Sequence, residues 1–91
     1  MLAFEWYEEK RLSNIQKHGL DFLDAGILFS GPRIEGPAKT VGGEGRRATT
    51  GMIEDVYVTA IFTMRGDTVR IISLRRARNG EKKRHQELHG C

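Results

Sequence analysis

The chain has one cysteine, Cys91, so it cannot form a disulfide within itself, which fits a reducing compartment. No apolar run approaches the roughly 20 residues that a membrane-spanning helix requires. The first ten residues, MLAFEWYEEK, acquire acidic side chains too early for a secretory signal peptide. We therefore expect a cytoplasmic protein without a membrane partner.

The sequence also has few candidate metal ligands. Its carboxylates are scattered, so no ligand set for two-metal phosphodiester cleavage is visible. His85 and His89 are four residues apart with Cys91 beyond, but they lie near a terminus where a helix frays, and no other ligand cluster accompanies them. The sequence therefore predicts neither a metal site nor a cofactor.

Length and composition predict one small folded domain that comprises residues 1–91. A chain of 91 residues lies near the lower end of what one core can stabilise, and 38% of the residues are hydrophobic. This apolar content predicts a globule rather than a disordered chain. No internal repeat or low-complexity tract is present.

Positive charge is concentrated in the second half of the sequence. Residues 1–45 carry five basic and seven acidic side chains, whereas residues 46–91 carry ten basic and five acidic ones. Eight Lys or Arg and only two acids lie between Arg65 and Arg84. Such a field attracts phosphates, and nucleic acid is the partner that presents phosphates in series.

Hydrophobic spacing in the first third predicts a strand and two helices. A strand with one buried face is indicated by the alternation of Leu2, Phe4 and Trp6. An amphipathic helix begins at Glu8 and stops at Gly19, in the left-handed conformation typical after a helix. A second helix is expected to begin at Asp21, with Asp24 in the capping-box position. Its buried stripe is predicted to consist of Phe22, Ala25, Leu28 and Phe29.

The remainder of the chain predicts three strands and a terminal helix. Two prolines and several glycines indicate an irregular connection of about fifteen residues before Arg46. The strand candidates are 46–52, 56–64 and 69–75; the last two are joined by the hairpin connection Arg65-Gly66-Asp67. Val56, Val58, Ala60, Phe62 and Met64 are expected on one face. With a helix over 78–88, the order is β-α-α-β-β-β-α: an α+β fold with about three helices packed on a small antiparallel sheet.

The sequence resembles the BrnT family of ribonuclease toxins along nearly its whole length, from Phe4 to about Glu87. The resemblance rests on the order and spacing of several short motifs. They are Phe4-Glu-Trp, Lys10, Asn14, Lys17-His18-Gly19, Phe22, Ala25, Phe29, Arg46, Gly51, Thr63-Met-Arg65, Arg70-Ile-Ile-Ser-Leu-Arg75-Arg76-Ala77 and Glu81. The family implies a RelE-like fold and an endoribonuclease toxin of a type II toxin–antitoxin system that inhibits translation and growth.

The resemblance also implies partners. A cognate BrnA-like antitoxin that binds DNA is expected to neutralise the toxin in a hetero-oligomer, and operator DNA is expected only through that antitoxin. Three features depart from the family pattern. Tyr7 stands where an acid usually follows the tryptophan, and His85 stands where an aromatic residue is common. The connection that contains Gly42, Gly43 and Gly45 is richer in glycine than the pattern. The departures at Tyr7 and His85 leave open an alternative, a non-catalytic nucleic-acid-binding or regulatory module with the same fold.

Arginines are the main candidates for the chemistry. When RNA is cleaved without a metal, the 2′-hydroxyl attacks the adjacent phosphorus, and arginines on a rigid strand can stabilise the charge on the phosphoryl oxygens. We assign this role to Arg65, Arg75 and Arg76. Because side chains alternate along a strand, Arg75 and Arg76 cannot share a face, so one can bind substrate while the other pairs with an acid. The alternative is a set of solvated or salt-bridged surface arginines.

Because arginine stays protonated, proton transfer requires another group, or catalysis relies mainly on positioning and charge stabilisation. The candidates for proton transfer are Lys17, His18 and His85. His85 could donate a proton near Arg75 and Arg76, against the alternative of a solvated helix residue. The alternative for His18 is to cap the C-terminal end of the first helix by interacting with the helix dipole. The residues expected to bind RNA are Lys17, His18, Arg46, Arg70, Arg78, Lys82 and Lys83.

Overall fold

The computed structural model describes residues 2–90, which contain five strands and three α-helices. The elements are β1 (Ala3–Glu5), α1 (Glu8–His18), α2 (Ala25–Ser30), β2 (Ile34–Val41), β3 (Glu44–Ile53), β4 (Val56–Arg65), β5 (Thr68–Arg76) and α3 (Asn79–His89). A single 3-10 turn, Phe22–Asp24, leads into α2. Within residues 2–90, no helix is both long enough and apolar enough to cross a membrane.

The strands form one sheet in the order β1-β5-β4-β3-β2. Strands β2 to β5 are linked by hairpins and pair antiparallel, whereas β1 pairs parallel with the beginning of β5. The α+β class predicted from the sequence is confirmed, but the sheet is mixed rather than wholly antiparallel. The turn between β4 and β5 is the predicted hairpin connection, with Gly66 at a φ of 59°.

A strand not predicted from the sequence, β2, occupies most of the expected irregular connection. It pairs with β3 through a turn at Gly42 and Gly43, whose φ angles are 60° and 77°. Glycine adopts these left-handed angles without a steric penalty. Pro37 lies within β2, which is compatible with an edge strand because one side of that strand needs no ladder hydrogen bonds. The glycines and prolines that predicted a loop therefore mark a hairpin and a sheet edge.

The hydrophobic core lies between the sheet and the first two helices. Phe22, Ala25 and Leu28 are buried as predicted, and Phe29 packs half-buried against them. They face a group of buried strand residues, Val58, Ala60, Phe62, Val69, Ile71 and Leu74. Of the residues expected on one face of β4, the middle three are buried while Val56 and Met64, at the ends of the strand, are exposed. We call this side of the sheet the inner face.

Helix α3 packs on the opposite side, the outer face. Side chains alternate along β4, so Thr59 points away from the face that holds Val58 and Ala60. The Thr59 hydroxyl contacts Glu81 of α3, and Tyr57 packs edge-on against His85 of the same helix. The outer face is thus covered by α3 at one end and open beyond it.

The ends of the N-terminal helices agree only in part with the sequence predictions. Gly19 ends α1 with a φ of 67°, as predicted. Asp21 accepts a hydrogen bond from the Leu23 backbone N–H and caps the 3-10 turn. Asp24 makes no side-chain capping bond, so the predicted capping box is wrong. The carboxylate of Asp21 also pairs with Arg11, which lowers the pKa of Asp21.

Candidate functional site

A depression of about 430 Å³ lies on the outer face beside α3. Its walls come from β2 to β5 and the start of α3, and it is lined by Pro37, Ala38, Lys39, Arg46, Ala48, Ile61, Arg75, Arg78 and Glu81. Ala48 and Ile61 are cross-strand neighbours that form an apolar floor. We call this depression the outer-face groove. It contains four basic side chains and one carboxylate, a composition suited to an anion.

Arg75 is held in the groove by a bidentate ion pair with Glu81. Nη1 and Nη2 donate to the two carboxylate oxygens at 2.8 and 3.0 Å, and Nη1 also lies 3.3 Å from the carbonyl oxygen of Arg76. Three of the five guanidinium N–H groups are therefore used. Within residues 2–90, the Nε–H and the second N–H of Nη2 have no protein acceptor. These two parallel donors match the spacing of phosphate oxygens.

Glu81 is fixed by two further contacts. Its Oε1 accepts a hydrogen bond from the Thr59 hydroxyl at 3.0 Å and from the Arg78 backbone N–H at 2.7 Å. Thr59 itself lies 2.7 Å from the Thr50 hydroxyl across the β3–β4 pair. Since Thr59 gives its one proton to Glu81, the Thr50 hydroxyl is the donor to Thr59. The result is a directed chain from Thr50 through Thr59 to Glu81.

These contacts hold Glu81 in its ionised form. The hydrogen bonds from Arg75 are the largest cause of a pKa lowered to about 2, and the backbone N–H of Arg78 and the hydroxyl of Thr59 act in the same direction against desolvation. A carboxylate with this pKa is a weak base. Glu81 is therefore suited to orienting Arg75 rather than to accepting a proton near neutral pH.

Arg46 connects the outer-face groove to a second depression of about 660 Å³ at the far end of β3 and β4. The Nε of Arg46 is buried and has no hydrogen-bond partner among the described residues. Arg65 lines the second depression, with a side chain that is 56% exposed and a distance of 4.0 Å to Glu5. Arg65 thus lies on the surface that continues the groove, separate from the Arg75–Glu81 pair.

Arg70 is already engaged within the protein. Its Nε and Nη2 lie 2.7 and 2.6 Å from the Glu5 carboxylate, and its guanidinium stacks over the Tyr7 ring while donating to the Tyr7 hydroxyl at 2.9 Å. The hydrogen bond with Glu5 is the largest cause of a raised Arg70 pKa. These contacts join β5 to β1 and to the residue before α1.

Arg76 points to the other side of the strand from Arg75, as the alternation predicts. Its Nη1 donates to the carbonyl oxygen of His18 at 2.9 Å, at the C-terminal end of α1. Lys17 and His18 border a separate depression with Ser73. Arg76, Lys17 and His18 therefore lie together at the end of α1, and none of them lines the outer-face groove.

His85 lies on the side of α3 that faces the sheet and is only 6% exposed, so the alternative of a solvated helix residue is wrong. Its Nε2 is 2.9 Å from the Pro32 carbonyl oxygen, and its ring packs against those of Tyr57 and His89 at centroid distances of 5.4 and 5.1 Å. Nδ1 is buried without a partner among the described residues. His85 holds α3 to the segment before β2.

The other α3 candidates lie outside the groove lining. Lys83 is exposed and Lys82 is half-buried, and both follow Glu81 along the helix. Among residues 2–90, no three His, Cys, Asp or Glu side chains are grouped in a way that could hold a metal ion.

Sequence reasoning did not assign a role to four residues of this site: Lys39, Thr50, Thr59 and Glu81. The signal for Glu81 was its position three residues after Arg78, at the start of a predicted helix. The side chain of Glu81 indeed accepts from the Arg78 backbone N–H, as in a capping box. Lys39 lies where the sequence predicts an irregular connection, and the two threonines can be paired only when the β3–β4 register is known.

The fold and the groove define a small α+β protein with an arginine-rimmed site suited to a phosphate-bearing partner. A family model described as "Ribonuclease toxin, BrnT, of type II toxin-antitoxin system" matches residues 6–81. The chain therefore belongs to the BrnT family of ribonuclease toxins, and the resemblance stated from the sequence motifs is confirmed.

Comparison with solved structures supports the same family. The chain is similar to the crystal structure of the Brucella abortus ribonuclease toxin BrnT, with a TM-score of 0.65 and 29% sequence identity. The match covers 87% of this chain and 100% of the Brucella chain. A comparison with curated proteins finds no significant match.

Proposed function

We propose that the protein is a toxin that cleaves RNA internally without a metal and thereby inhibits translation and growth. Membership of the BrnT family supports the toxin role and the ribonuclease class. The proposal of a site rests on the geometry of Arg75 in a basic groove. Its guanidinium is held by Glu81, while its Nε–H and one N–H of Nη2 have no acceptor among residues 2–90.

In the proposed reaction, the phosphate to be cleaved lies in the outer-face groove. The 2′-hydroxyl attacks the neighbouring phosphorus and loses its proton to water, while the bond from phosphorus to the 5′-oxygen of the next nucleotide breaks and that oxygen takes up a proton from water. The products are a 2′,3′-cyclic phosphate and a 5′-hydroxyl end. The phosphoryl oxygens, on which negative charge develops, accept two hydrogen bonds from Arg75. Arg46 and Arg78 bind the same phosphate or its neighbours, and Arg65 extends the surface along the strand. Rate enhancement comes mainly from positioning and charge stabilisation.

The groove geometry divides the candidates of the sequence analysis. Arg75 is our proposed catalytic arginine, with Arg46 and Arg78 as RNA-binding residues. For Arg76 and His85 the contacts described above support a structural role, because both already bind backbone carbonyl oxygens. The pairing of Arg70 with Glu5 likewise supports a structural role for Arg70. Lys82 and Lys83 are proposed to contact flanking phosphates from α3.

A non-catalytic RNA-binding module is the second candidate. The observation in its favour is that the carboxylate in the groove, Glu81, has a pKa of about 2 and so is a poor proton acceptor. Both candidates predict RNA binding at the groove. Only the first predicts new RNA ends.

The test is an RNA cleavage assay in EDTA with the parent protein and Arg75→Ala purified in the same way. We expect the parent to produce defined fragments and Arg75→Ala to produce them at least about 10²-fold more slowly. RNA binding without cleavage would favour the binding module. Equal cleavage by both proteins would place the active site elsewhere, or would reveal a contaminating nuclease.

The toxin role has its own test in cells. Inducing the protein alone should arrest growth and inhibit translation, and co-expression of the antitoxin encoded beside it should restore growth. Arg75→Ala should accumulate as soluble protein without arresting growth. Normal growth with soluble parent protein would contradict toxicity in that host.

We further propose that a DNA-binding, BrnA-like antitoxin neutralises the protein by covering the outer-face groove with an acidic or amphipathic segment. Dimerisation of the antitoxin would produce a hetero-oligomer, and operator DNA would be reached only through the antitoxin. In such a complex, Arg75 and Arg78 should be protected from solvent. A neutralised complex that leaves the groove open would contradict this arrangement.

A further inference from the structure

The Arg75–Glu81 pair is embedded in a hydrogen-bond network that is more extensive than a surface ion pair requires. The side chain of Glu81 is 15% exposed and that of Arg75 is 20% exposed. Thr59 is fully buried and Thr50 nearly so, although both side chains are polar. Buried hydroxyl groups need hydrogen-bond partners, and here each partner leads to the next until the chain ends on the carboxylate.

The direction of these hydrogen bonds is uniform. Thr50 donates to Thr59, and Thr59, the Arg78 backbone N–H and Arg75 all donate to Glu81. Donors that converge on an ionised acceptor make strong bonds, and a chain of them is mutually polarised. The carboxylate can therefore take up only one orientation on the sheet.

The orientation of Glu81 determines that of the guanidinium. A bidentate pair through Nη1 and Nη2 requires the guanidinium and carboxylate groups to lie nearly in one plane. With the Nη1–Nη2 edge occupied, the Nε–Nη2 edge is the one left for a ligand. Thr50 lies on β3, Thr59 on β4 and Glu81 on α3, so the orientation of an arginine on β5 is set by residues of three other elements.

We infer that Glu81, Thr59 and Thr50 are positioning residues that aim the Nε–Nη2 edge of Arg75 at the scissile phosphate. This inference rests on the proposed ribonuclease function and adds to it the residues that prepare the site. The three residues act through Arg75 and do not contact the RNA themselves. Their effect is expected on the rate of the chemical step rather than on RNA affinity.

Two variants disrupt the network while preserving the shape of the site. Glu81→Gln removes the carboxylate charge but keeps the side-chain length and the capping position at the start of α3. Thr50→Val/Thr59→Val removes both hydroxyls together, so neither is left without a partner, and valine suits a buried strand. Thr50→Ser/Thr59→Ser keeps both hydroxyls and is the matched control for the double valine variant. Circular dichroism and thermal unfolding would verify that all variants are folded.

The first measurement is steady-state cleavage of a labelled RNA oligonucleotide of mixed sequence in EDTA. We expect kcat to fall roughly 10- to 100-fold in Glu81→Gln and about 3- to 10-fold in the double valine variant, while KM changes less than about threefold. The double serine variant should retain most of the parent kcat. If Glu81 acted only through its charge, removing it from a basic groove would lower KM and leave kcat unchanged.

The second measurement is the side-chain ¹⁵N NMR signal of Arg75 in the protein without RNA. The parent and the double serine variant should show separate Nη1 and Nη2 signals, because rotation of the guanidinium is restricted. Averaged or broadened signals are expected in Glu81→Gln and in the double valine variant. Unchanged NMR signals, or unchanged kcat despite a mobile guanidinium, would overturn the inference. An inactive parent would instead refute the proposed function, and with it any catalytic use of the network.

Discussion

Arg75 and Arg76 are adjacent residues of β5 with separate roles in the structure. Arg75 points to the outer face and pairs with Glu81, whereas Arg76 reaches the carbonyl oxygen of His18 at the end of α1. Chemically identical neighbours are separated because successive side chains of a strand point to opposite faces. The sequence therefore identifies both arginines as candidates for binding RNA, and the alternation of side chains along the strand places only Arg75 in the groove.

This separation leads to a prediction about cleavage. Arg75→Ala should lower the single-turnover rate of RNA cleavage by about 10²-fold or more, because a donor aimed at the developing charge is lost. Arg76→Ala should remain within about threefold of the parent, since its contact is with the α1 carbonyl. Arg75→Lys, which keeps the charge without the planar fork, should resemble Arg75→Ala. Equal losses in Arg75→Ala and Arg76→Ala would contradict our placement of the site.

Glu81 should make stability depend on pH in the acidic range. Its pKa is lowered from 4.5 in the unfolded chain to about 2 in the folded protein, chiefly by Arg75. A depressed pKa stabilises the fold above the unfolded value, and this contribution is lost as the pH falls from about 4.5 towards 2. The cost of Glu81→Gln should therefore be on the order of 2 kcal/mol near pH 7 and should shrink across that range.

Urea unfolding of the parent and the variant at a series of pH values measures this difference. Glu87→Gln is the matched control, because it removes an exposed carboxylate from the same helix. A pH-independent cost of Glu81→Gln would show that the ion pair with Arg75 contributes nothing to folding.

At the scale of elements, α1 takes the place of a strand along part of β5. Strand β1 pairs with β5 only from Thr68 to Arg70. Beyond it, the side-chain amide of Asn14 donates to the Leu74 carbonyl at 2.9 Å and accepts from the Leu74 N–H at 3.1 Å. Asn14 is buried, so these bonds satisfy backbone groups that water does not reach.

Replacing Asn14 should therefore weaken the whole fold. Asn14→Ala leaves both polar groups of Leu74 and the Leu20 carbonyl without their partner, and we expect a loss of about 2–4 kcal/mol in the free energy of unfolding. Gln16→Ala, at an exposed position of the same helix, should stay within about 0.5 kcal/mol. Equal effects of the two variants in urea unfolding would refute the role of Asn14 as a substitute strand partner.

At the scale of the whole molecule, the basic residues serve different purposes. The chain has a formal net charge of +3, and ten of its 15 Lys and Arg residues lie after residue 45. In the structure Arg70 and Arg76 hold elements together, whereas Arg46, Arg75 and Arg78 meet at the outer-face groove. RNA should therefore be bound on one face, rather than wherever basic residues occur.

The salt dependence of RNA binding tests this asymmetry. Each lost phosphate contact lowers the slope of log affinity against log salt by about 1. Arg78→Ala, in the groove, should show that decrease. Lys17→Ala, at the end of α1, should retain the parent slope. A decrease in Lys17→Ala instead would extend the RNA path to the α1 side, as the sequence analysis first predicted.

Local patterns in the sequence determined much of the secondary structure and many of the buried positions of this protein. Alternation in β4, the left-handed Gly19 and the buried stripe of the second helix follow from side-chain spacing and backbone sterics, which act over a few residues. The order and spacing of the short motifs were also sufficient to indicate the BrnT family. One local pattern that misled was that of β2, because glycine and proline occur in hairpins and edge strands as well as in loops.

The site depended on the tertiary structure. Arg75 and Glu81 are six residues apart, and a sequence does not show that Thr59 and Thr50 lie on the same side of the sheet beside them. That placement results from the register of three strands and from the angle at which α3 crosses the outer face. The same packing buried His85 against Pro32 and left Arg75 open to the groove. Burial and register arise from contacts between distant segments, so only the folded chain could separate the side chains that hold the fold together from those that line the groove.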